Sequence, residues 1–132
     1  MQTALIIEDE AMIALALAMS VRQAGLDLIG IADNAETALA LAEARSPHVA
    51  LVDVKLNGPI DGMTVGRELA RRFHTAIIFT TVYQDRVLKE GRDVAFGLLT
   101  KPFASDQVVQ ELARASQLHV QGSTHFPGMA TA

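Results

Sequence analysis

Short apolar runs alternate with segments of helical periodicity along most of the chain. The runs at 4–7, 28–32, 49–53, 76–81 and 96–100 are four to six residues long and are followed by polar or turn residues. Runs of this kind are typical of strands buried on both faces. The segments between them repeat apolar residues at the spacing of amphipathic helices. The alternation predicts an α/β domain with one parallel sheet, helices on both faces and right-handed crossovers.

The first helix is predicted to begin at Ala11 and to stop before Gly25. Its apolar residues recur at helical spacing, so one side of the helix should face the sheet. The residues predicted to form this buried side are Met12, Leu15, Ala16 and Met19.

Capping and breaking residues set the other helix boundaries. Residues 33–34 offer a cap for the second helix, and the Ser-Pro pair at 46–47 ends it. The third helix starts at 61–62. A weaker, polar helix is predicted from about Asp85 to Arg92, and residues 105–106 should cap the last helix.

Composition narrows the class of protein. The chain has 132 residues, 50% of them hydrophobic, which fits one domain with a sizeable core. Eleven Lys and Arg against 15 Asp and Glu give a net charge of −4, without the clustered positive charge of a nucleic-acid-binding surface. There is no cysteine, no signal-peptide pattern and no apolar run of about 20 residues. We therefore expect a cytoplasmic protein with no membrane or direct nucleic-acid partner.

Polar side chains follow four of the five predicted strands. Glu8 and Asp9 follow the first strand, Asp53 ends the third, Thr81 ends the fourth and Lys101 follows the fifth. Because the carboxyl ends of parallel strands meet at one edge of the sheet, these side chains should lie close together. Each residue alone has a commoner role, in a turn, a cap or a strand, but their joint arrival at one edge indicates a site.

This set of side chains suits phosphoryl transfer. Three neighbouring carboxylates repel one another unless a cation neutralises them, and oxygen ligands of this kind suit Mg²⁺. A carboxylate can also attack phosphorus to give an aspartyl phosphate. The sequence therefore predicts Mg²⁺-assisted phosphoryl transfer onto Asp53. Glu8 and Asp9 would hold the metal, Lys101 would pair with the phosphoryl group, and Thr81 would donate a hydrogen bond to it.

From residue 1 to about 118 the chain resembles the receiver domain of two-component response regulators. The resemblance implies a flavodoxin-like (βα)5 fold, a doubly wound parallel sheet with strand order 2-1-3-4-5. It also implies that the domain is a signalling module and not an enzyme in its own right. The matching segments are IIEDE at 6–10, LVDV at 51–54, DG at 61–62, IFTT at 78–81 and TKPF at 100–103.

The resemblance also implies roles for the residues at the sheet edge. Asp53 would accept a phosphoryl group from a sensor histidine kinase or a phosphotransfer protein. Mg²⁺ would be surrounded by Glu8, Asp9, Asp53 and the backbone carbonyl of Lys55, with Glu8 binding directly or through water. A cis peptide before Pro102 would aim the preceding lysine inward. The family pattern favours Thr81 over Thr80 as the switch hydroxyl, and leaves Thr80 as a packing residue.

The chain departs from the family at positions that matter for switching. Leu98 stands where many receivers have Tyr or Phe. Tyr83 either replaces this missing aromatic residue or is an ordinary loop residue. Val82 occupies a position that is usually small, and the segment at 53–62 is one residue longer than the commonest form. Since Lys55 and Tyr83 should flank the path of an attacking water and Val82 should narrow it, we expect slow autodephosphorylation. The segment around Phe79 partly resembles the FATGUY-type single-domain receivers.

The output is predicted to be a protein contact or a phosphorelay. Residues 119–132, interpreted as a flexible tail, are too few for an output domain. The first helix should dock a kinase, and the face of helix 4, strand 5 and helix 5 should bind a downstream protein or a second copy.

The alternative functions are a receiver fragment of a larger regulator and a receiver-like domain that is never phosphorylated. A haloacid dehalogenase-type phosphatase would need a second Asp where Lys55 stands. The histidines, expected on the surface or in the tail, are His48, His74, His119 and His125.

Overall fold

The protein, described here from a computed structural model, is defined at residues 2–120, and side chains are defined up to residue 117. All strands pair in parallel in a single sheet of order β2-β1-β3-β4-β5. The sequence pattern predicted the parallel sheet, and the resemblance to receiver domains implied the order of its strands. The strands are β1 (Thr3–Ile7), β2 (Asp27–Ala32), β3 (Val49–Asp53), β4 (Ala76–Thr81) and β5 (Ala95–Thr100). The helices are α1 (Ala11–Gln23), α2 (Ala35–Ala44), α3 (Gly62–Phe73), α4 (Gln84–Arg86, continued by a π-helical turn at Val87–Gly91) and α5 (Ser105–Val120).

Side chains alternate across the sheet and divide the core into two layers. Ile6, Leu51 and Ile78 belong to the layer under α1 and α5, whereas Val52 and Phe79 belong to the layer under α2 and α3. Both layers are fully buried, as expected for a parallel sheet with helices on both faces. Because alternate residues of a strand face opposite sides, this pattern also fixes which way the last residues of each strand point.

The predicted buried side of α1 is wrong. Met12, Leu15 and Met19 are 80%, 59% and 70% exposed, and Ala16 is exposed as well. The helix is apolar around most of its circumference, so spacing alone could not choose the buried face. The side that is buried combines small residues with two larger aliphatic ones. The buried residues of α1 are Ala14, Leu17, Ala18, Ser20 and Val21.

Local hydrogen bonds confirm two of the predicted helix starts and correct a third. Asn34 accepts a hydrogen bond from the backbone N–H of Thr37, and Asp61 caps α3 in the same way. At α5, Ser105 is the first helical residue and not the cap, and the side chain of Gln107 accepts the backbone N–H of Ala104 instead. The helix α5 therefore begins one residue earlier than it would if Ser105 were its cap.

The helix predicted from Asp85 to Arg92 is present at 84–91, but it is less regular than expected. Only three residues are α-helical before the π-helical turn. Gly91, in that turn, lies so close to α3 that a Cβ there would be 2.5 Å from the Cε of Met63. The turn is thus packed directly onto α3, which a longer regular helix with a side chain at this position could not do.

The last helix extends beyond residue 118, and the domain boundary predicted there stays a prediction. The helix continues to Val120, two residues past the boundary expected at 118, and the rest of the expected tail lies outside the described residues. Within the described part of the chain, no helix is long and apolar enough to cross a membrane. The cytoplasmic location stays a prediction.

Candidate functional site

Three carboxylates meet at the carboxyl edge of the sheet. Glu8 and Asp9 directly follow β1, and Asp53 is the last residue of β3. Each offers one oxygen such that all three lie within 4.8 Å of one another. Glu8 and Asp53 are buried and Asp9 is half-buried, so the cluster opens to solvent on the side of Asp9. The structure therefore brings together the acids that the sequence predicted to be neighbours.

Backbone packing behind the site fixes the position of Asp53. Gly62, the first residue of α3, donates its N–H to the carbonyl of Val54 at 2.8 Å. A Cβ at Gly62 would overlap the backbone carbonyl oxygen of Asp53. The glycine is therefore required for the start of α3 to close against the end of β3.

Lys101 supplies the positive charge of the site. Its Nζ lies 2.9 Å from Oε1 of Glu8 and 3.4 Å from Oδ2 of Asp53. The peptide bond between Lys101 and Pro102 is cis, and the backbone N–H of Lys101 donates to the carbonyl of Thr81 at 2.8 Å. Burial alone would lower the pKa of Lys101, but the hydrogen bond to Glu8 and the two carboxylate charges raise it. Lys101 therefore stays protonated.

Asp53 has an unusual protonation equilibrium. Burial and the negative charge of Glu8 raise its pKa from 3.8 to about 6, while Lys101 and the backbone N–H of Lys55 act in the opposite direction. That N–H lies 3.2 Å from Oδ1 of Asp53. The carboxylate is thus ionised at neutral pH but at an energetic cost, which a bound cation would remove.

The donor set fits a small, hard cation. Three carboxylates face a single ammonium, so a divalent ion would balance the charge, and oxygen ligands are those that Mg²⁺ prefers. Both oxygens of Glu8 already have partners, since Oε1 binds Lys101 and Oε2 accepts the N–H of Glu10 at 3.0 Å. Glu8 would therefore reach the ion through water or after Lys101 moves. The role predicted for the Lys55 carbonyl stays a prediction.

The two threonines at the end of β4 have different surroundings. Thr81 lines the same cavity as Asp53, and its Oγ1 accepts the backbone N–H of Tyr83 at 2.9 Å. Thr80 is fully buried and is paired in register with Asp53. Its hydroxyl has no hydrogen-bond partner among the described residues. The interpretation of Thr80 as a packing residue did not consider this hydroxyl.

The cavity above Asp53 has a volume of about 460 Å³. Lys55, Val82 and Tyr83 form part of its wall, and the last two remain 57% and 63% exposed. Leu98 lies elsewhere, partly buried against the core layer of α2 and α3. Neither the slow autodephosphorylation expected from Val82 nor a switching role for Tyr83 is decided by this arrangement, and both stay predictions.

The described histidines lie away from the carboxyl edge. The half-buried His48 precedes β3 at the opposite end of the sheet, where its Nδ1 accepts the backbone N–H of Thr3 at 3.0 Å. His74 is exposed and ends α3 in a left-handed conformation. The side chain of His119 and the whole of His125 lie outside the described residues.

The doubly wound sheet and the acidic cluster with its lysine and threonine define a receiver domain, a class of signalling domain that does not turn over a separate substrate. The family model "Response regulator receiver domain" matches residues 4–113. The chain therefore belongs to the response regulator receiver family.

Relatives in curated and structural collections agree with this assignment. The chain is 34% identical over 113 residues to the transcriptional regulatory protein PdtaR of Mycobacterium tuberculosis and 33% identical over 112 residues to the phyllosphere-induced regulator PhyR of Methylorubrum extorquens. These matches cover 84% of this chain but only 55% and 42% of the relatives, so the chain spans about half their length. The solution structure of the PhyR receiver domain of Erythrobacter litoralis superposes with a TM-score of 0.81 at 29% identity, covering 99% of this chain and 95% of that domain.

Proposed function

We propose that the chain is a phosphorylation-controlled receiver whose Asp53 accepts a phosphoryl group from a phosphohistidine, in a reaction that needs Mg²⁺. The phosphohistidine belongs to a sensor histidine kinase or a phosphotransfer protein. One observation carries the proposal: Glu8, Asp9 and Asp53 converge within 4.8 Å beside the Lys101 ammonium, at the open edge of the sheet. A receiver-like domain that is never phosphorylated would have no need for all four groups.

The residues have distinct tasks in the transfer. An oxygen of the Asp53 carboxylate attacks phosphorus as the P–N bond breaks; the imidazole nitrogen keeps the electron pair and takes up a proton. The ammonium of Lys101 exchanges its hydrogen bond to Glu8 for one to a phosphoryl oxygen, and the Thr81 hydroxyl donates a hydrogen bond to another phosphoryl oxygen. Asp9, Asp53, the Lys55 carbonyl and Glu8 would hold Mg²⁺, which would supply positive charge against the remaining charge of the phosphoryl group.

The exposed side of α1 supports a docking site for the helix that carries the phosphohistidine. An apolar groove of about 500 Å³ runs beside α1. It shares Glu10, Val82 and Lys101 with the wall of the Asp53 cavity, so a helix seated there would present a side chain to Asp53. The apolar residues of the groove are Met12, Ile13, Ala16, Val82, Pro102 and Phe103.

The output we propose is a change in protein binding or a further phosphoryl transfer. A structure from Bartonella quintana, 27% identical with a TM-score of 0.78, is described as the anti-anti-sigma factor PhyR, and the match covers 49% of that chain. That name supports a protein partner as the output for this chain. The face of α4, β5 and α5 is the proposed surface, for a downstream protein or for a second copy.

Phosphorylation by a small donor tests the proposal. The wild-type protein and Asp53→Asn would be incubated with acetyl phosphate and Mg²⁺, then with EDTA in place of Mg²⁺, and examined by intact mass spectrometry. We expect one phosphoryl group on the wild type with Mg²⁺, almost none with EDTA and none on Asp53→Asn. An unmodified wild type, or equal modification of the variant, would contradict the proposal.

A further inference from the structure

Thr80 has a buried hydroxyl that the residues of the cavity do not engage. The side chain is 0% exposed, and its Oγ1 has no hydrogen-bond partner among the described residues. Burying a hydroxyl without a partner is unfavourable, because its hydrogen bonds to water are lost and not replaced. Valine would fill nearly the same volume without this penalty. The hydroxyl therefore calls for an explanation other than packing.

The sheet places Thr80 beside the phosphoacceptor. It pairs in register with Asp53 on β3 and with Leu99 on β5. Register partners in neighbouring strands point to the same face of a sheet. Leu51 and Ile78, two residues earlier on the same strands, belong to the core layer under α1 and α5. The side chains of Asp53 and Thr80 therefore leave their strands on that same face.

Lys101 has to cross β4 on this face. It follows Leu99 by two residues on the chain, yet its Nζ contacts Asp53 on β3 and Glu8 after β1. Since β4 lies between β5 and β3, the lysine side chain spans the end of β4 to make these contacts. Thr80 is the last residue of β4 that points to this face, so its hydroxyl lies on the side of the strand that the lysine crosses.

We propose that Thr80 is a positioning residue for phosphoryl transfer and that its hydroxyl accepts a hydrogen bond from the Lys101 ammonium. The inference rests on the proposed function. An ammonium has three protons to donate, and Glu8 takes one of them in this structure. Once Glu8 turns toward the metal, Thr80 provides a replacement acceptor. Lys101 then stays above Asp53 with protons left for the phosphoryl group.

Two variants separate the hydroxyl from the methyl group. Thr80→Val keeps the shape and removes the hydroxyl, and Thr80→Ser keeps the hydroxyl and removes the methyl group. The rate of phosphorylation by acetyl phosphate at saturating Mg²⁺ would be measured for both, with thermal unfolding alongside. We expect Thr80→Val to be about 3- to 10-fold slower, the range for one lost hydrogen bond, and Thr80→Ser to stay within about twofold of the wild type.

Thermal unfolding gives the readout that a structural role would not produce. The melting temperature of Thr80→Val should equal or exceed that of the wild type, because a buried hydroxyl without a partner is removed while the rate falls. Equal phosphorylation rates for wild type and Thr80→Val would overturn this inference but not the proposed function. Equal slowing of both variants would do the same. A wild type that is not phosphorylated would overturn the proposed function and this inference with it.

Discussion

At the scale of single residues, the site is a balance between buried like charges and one cation. Asp53 and Glu8 are almost excluded from solvent, and Lys101 bridges them. Lys101 stabilises both carboxylates but leaves the pKa of Asp53 raised to about 6. The site therefore holds its nucleophile ionised only against a net penalty, which is the electrostatic reason for expecting a divalent ion there.

The raised pKa of Asp53 makes stability depend on pH in a defined direction. Between the unfolded value of 3.8 and the folded value of about 6, the folded state binds more protons than the unfolded state. The free energy of unfolding should therefore fall as pH rises through this window. Asp53→Asn removes the effect, so without divalent metal it should be about 1–3 kcal/mol more stable than the wild type above pH 6.5, and this advantage should vanish near pH 4.

Urea unfolding of both proteins across pH 4–8 in EDTA measures this difference. Asp85→Asn, at an exposed position of α4, is the control for loss of a carboxylate outside the site. A constant difference between Asp53→Asn and the wild type at all pH values would show that Asp53 is not destabilised by its charge.

Removal of the Lys101 ammonium should lower the free energy of unfolding, because the two buried carboxylates lose their cation. Lys101→Met leaves Glu8 and Asp53 without a cation, and breaking a buried ion pair in this way costs about 3–5 kcal/mol. Lys55→Met is a matched control at the same edge, since Lys55 is exposed, and should change stability by less than about 0.5 kcal/mol. Added Mg²⁺ should restore part of the stability of Lys101→Met. Equal stability of the two lysine variants would argue against the bridging role.

At the scale of elements, α1 is the helix whose role the structure changed most. The side expected to pack inward is exposed, whereas a different side, which includes Ala14, Leu17 and Val21, faces the core. The exposed side borders the groove next to the Asp53 cavity. The apolar character of α1 therefore serves two surfaces, the core on one side and the proposed docking site on the other.

Two leucines of α1 give a direct test of this orientation. Leu17 is 1% exposed and Leu15 is 59% exposed, two positions apart on the same helix. Leu17→Ala should lower the free energy of unfolding by about 2–5 kcal/mol, because it leaves a cavity in the core. Leu15→Ala should cost less than about 0.5 kcal/mol in urea unfolding. Comparable losses at both positions would show that the helix is rotated from the orientation described here.

Helix positions could be predicted from the sequence more fully than their packing. Apolar runs and caps such as Asn34 and Asp61 act through neighbours along the chain, so these boundaries were predictable. The π-helical turn after α4 was not, because it depends on the contact of Gly91 with Met63 and on the ion pair of Arg86 with Asp61. Contacts between distant segments of this kind leave no periodic pattern in the sequence.

At the scale of the whole molecule, the order of strands accounts for most of the site. Parallel strands bring their carboxyl ends to one edge, so acids, a hydroxyl and an ammonium far apart in sequence become neighbours. This much was predictable from where the strands end. The preference of Lys101 for Glu8 over Asp53 was not, because it depends on the distances of 2.9 and 3.4 Å that the folded sheet sets.

The central claim is that Asp53 itself carries the phosphoryl group, and chemical trapping tests it most directly. Borohydride reduces an aspartyl phosphate to homoserine, which marks the modified position permanently. After treatment of the wild type with acetyl phosphate and Mg²⁺, reduction and peptide mass mapping should find homoserine at position 53 and nowhere else. Homoserine at another acidic position, or none in a protein shown to carry a phosphoryl group, would contradict the assignment of Asp53 as the phosphoacceptor.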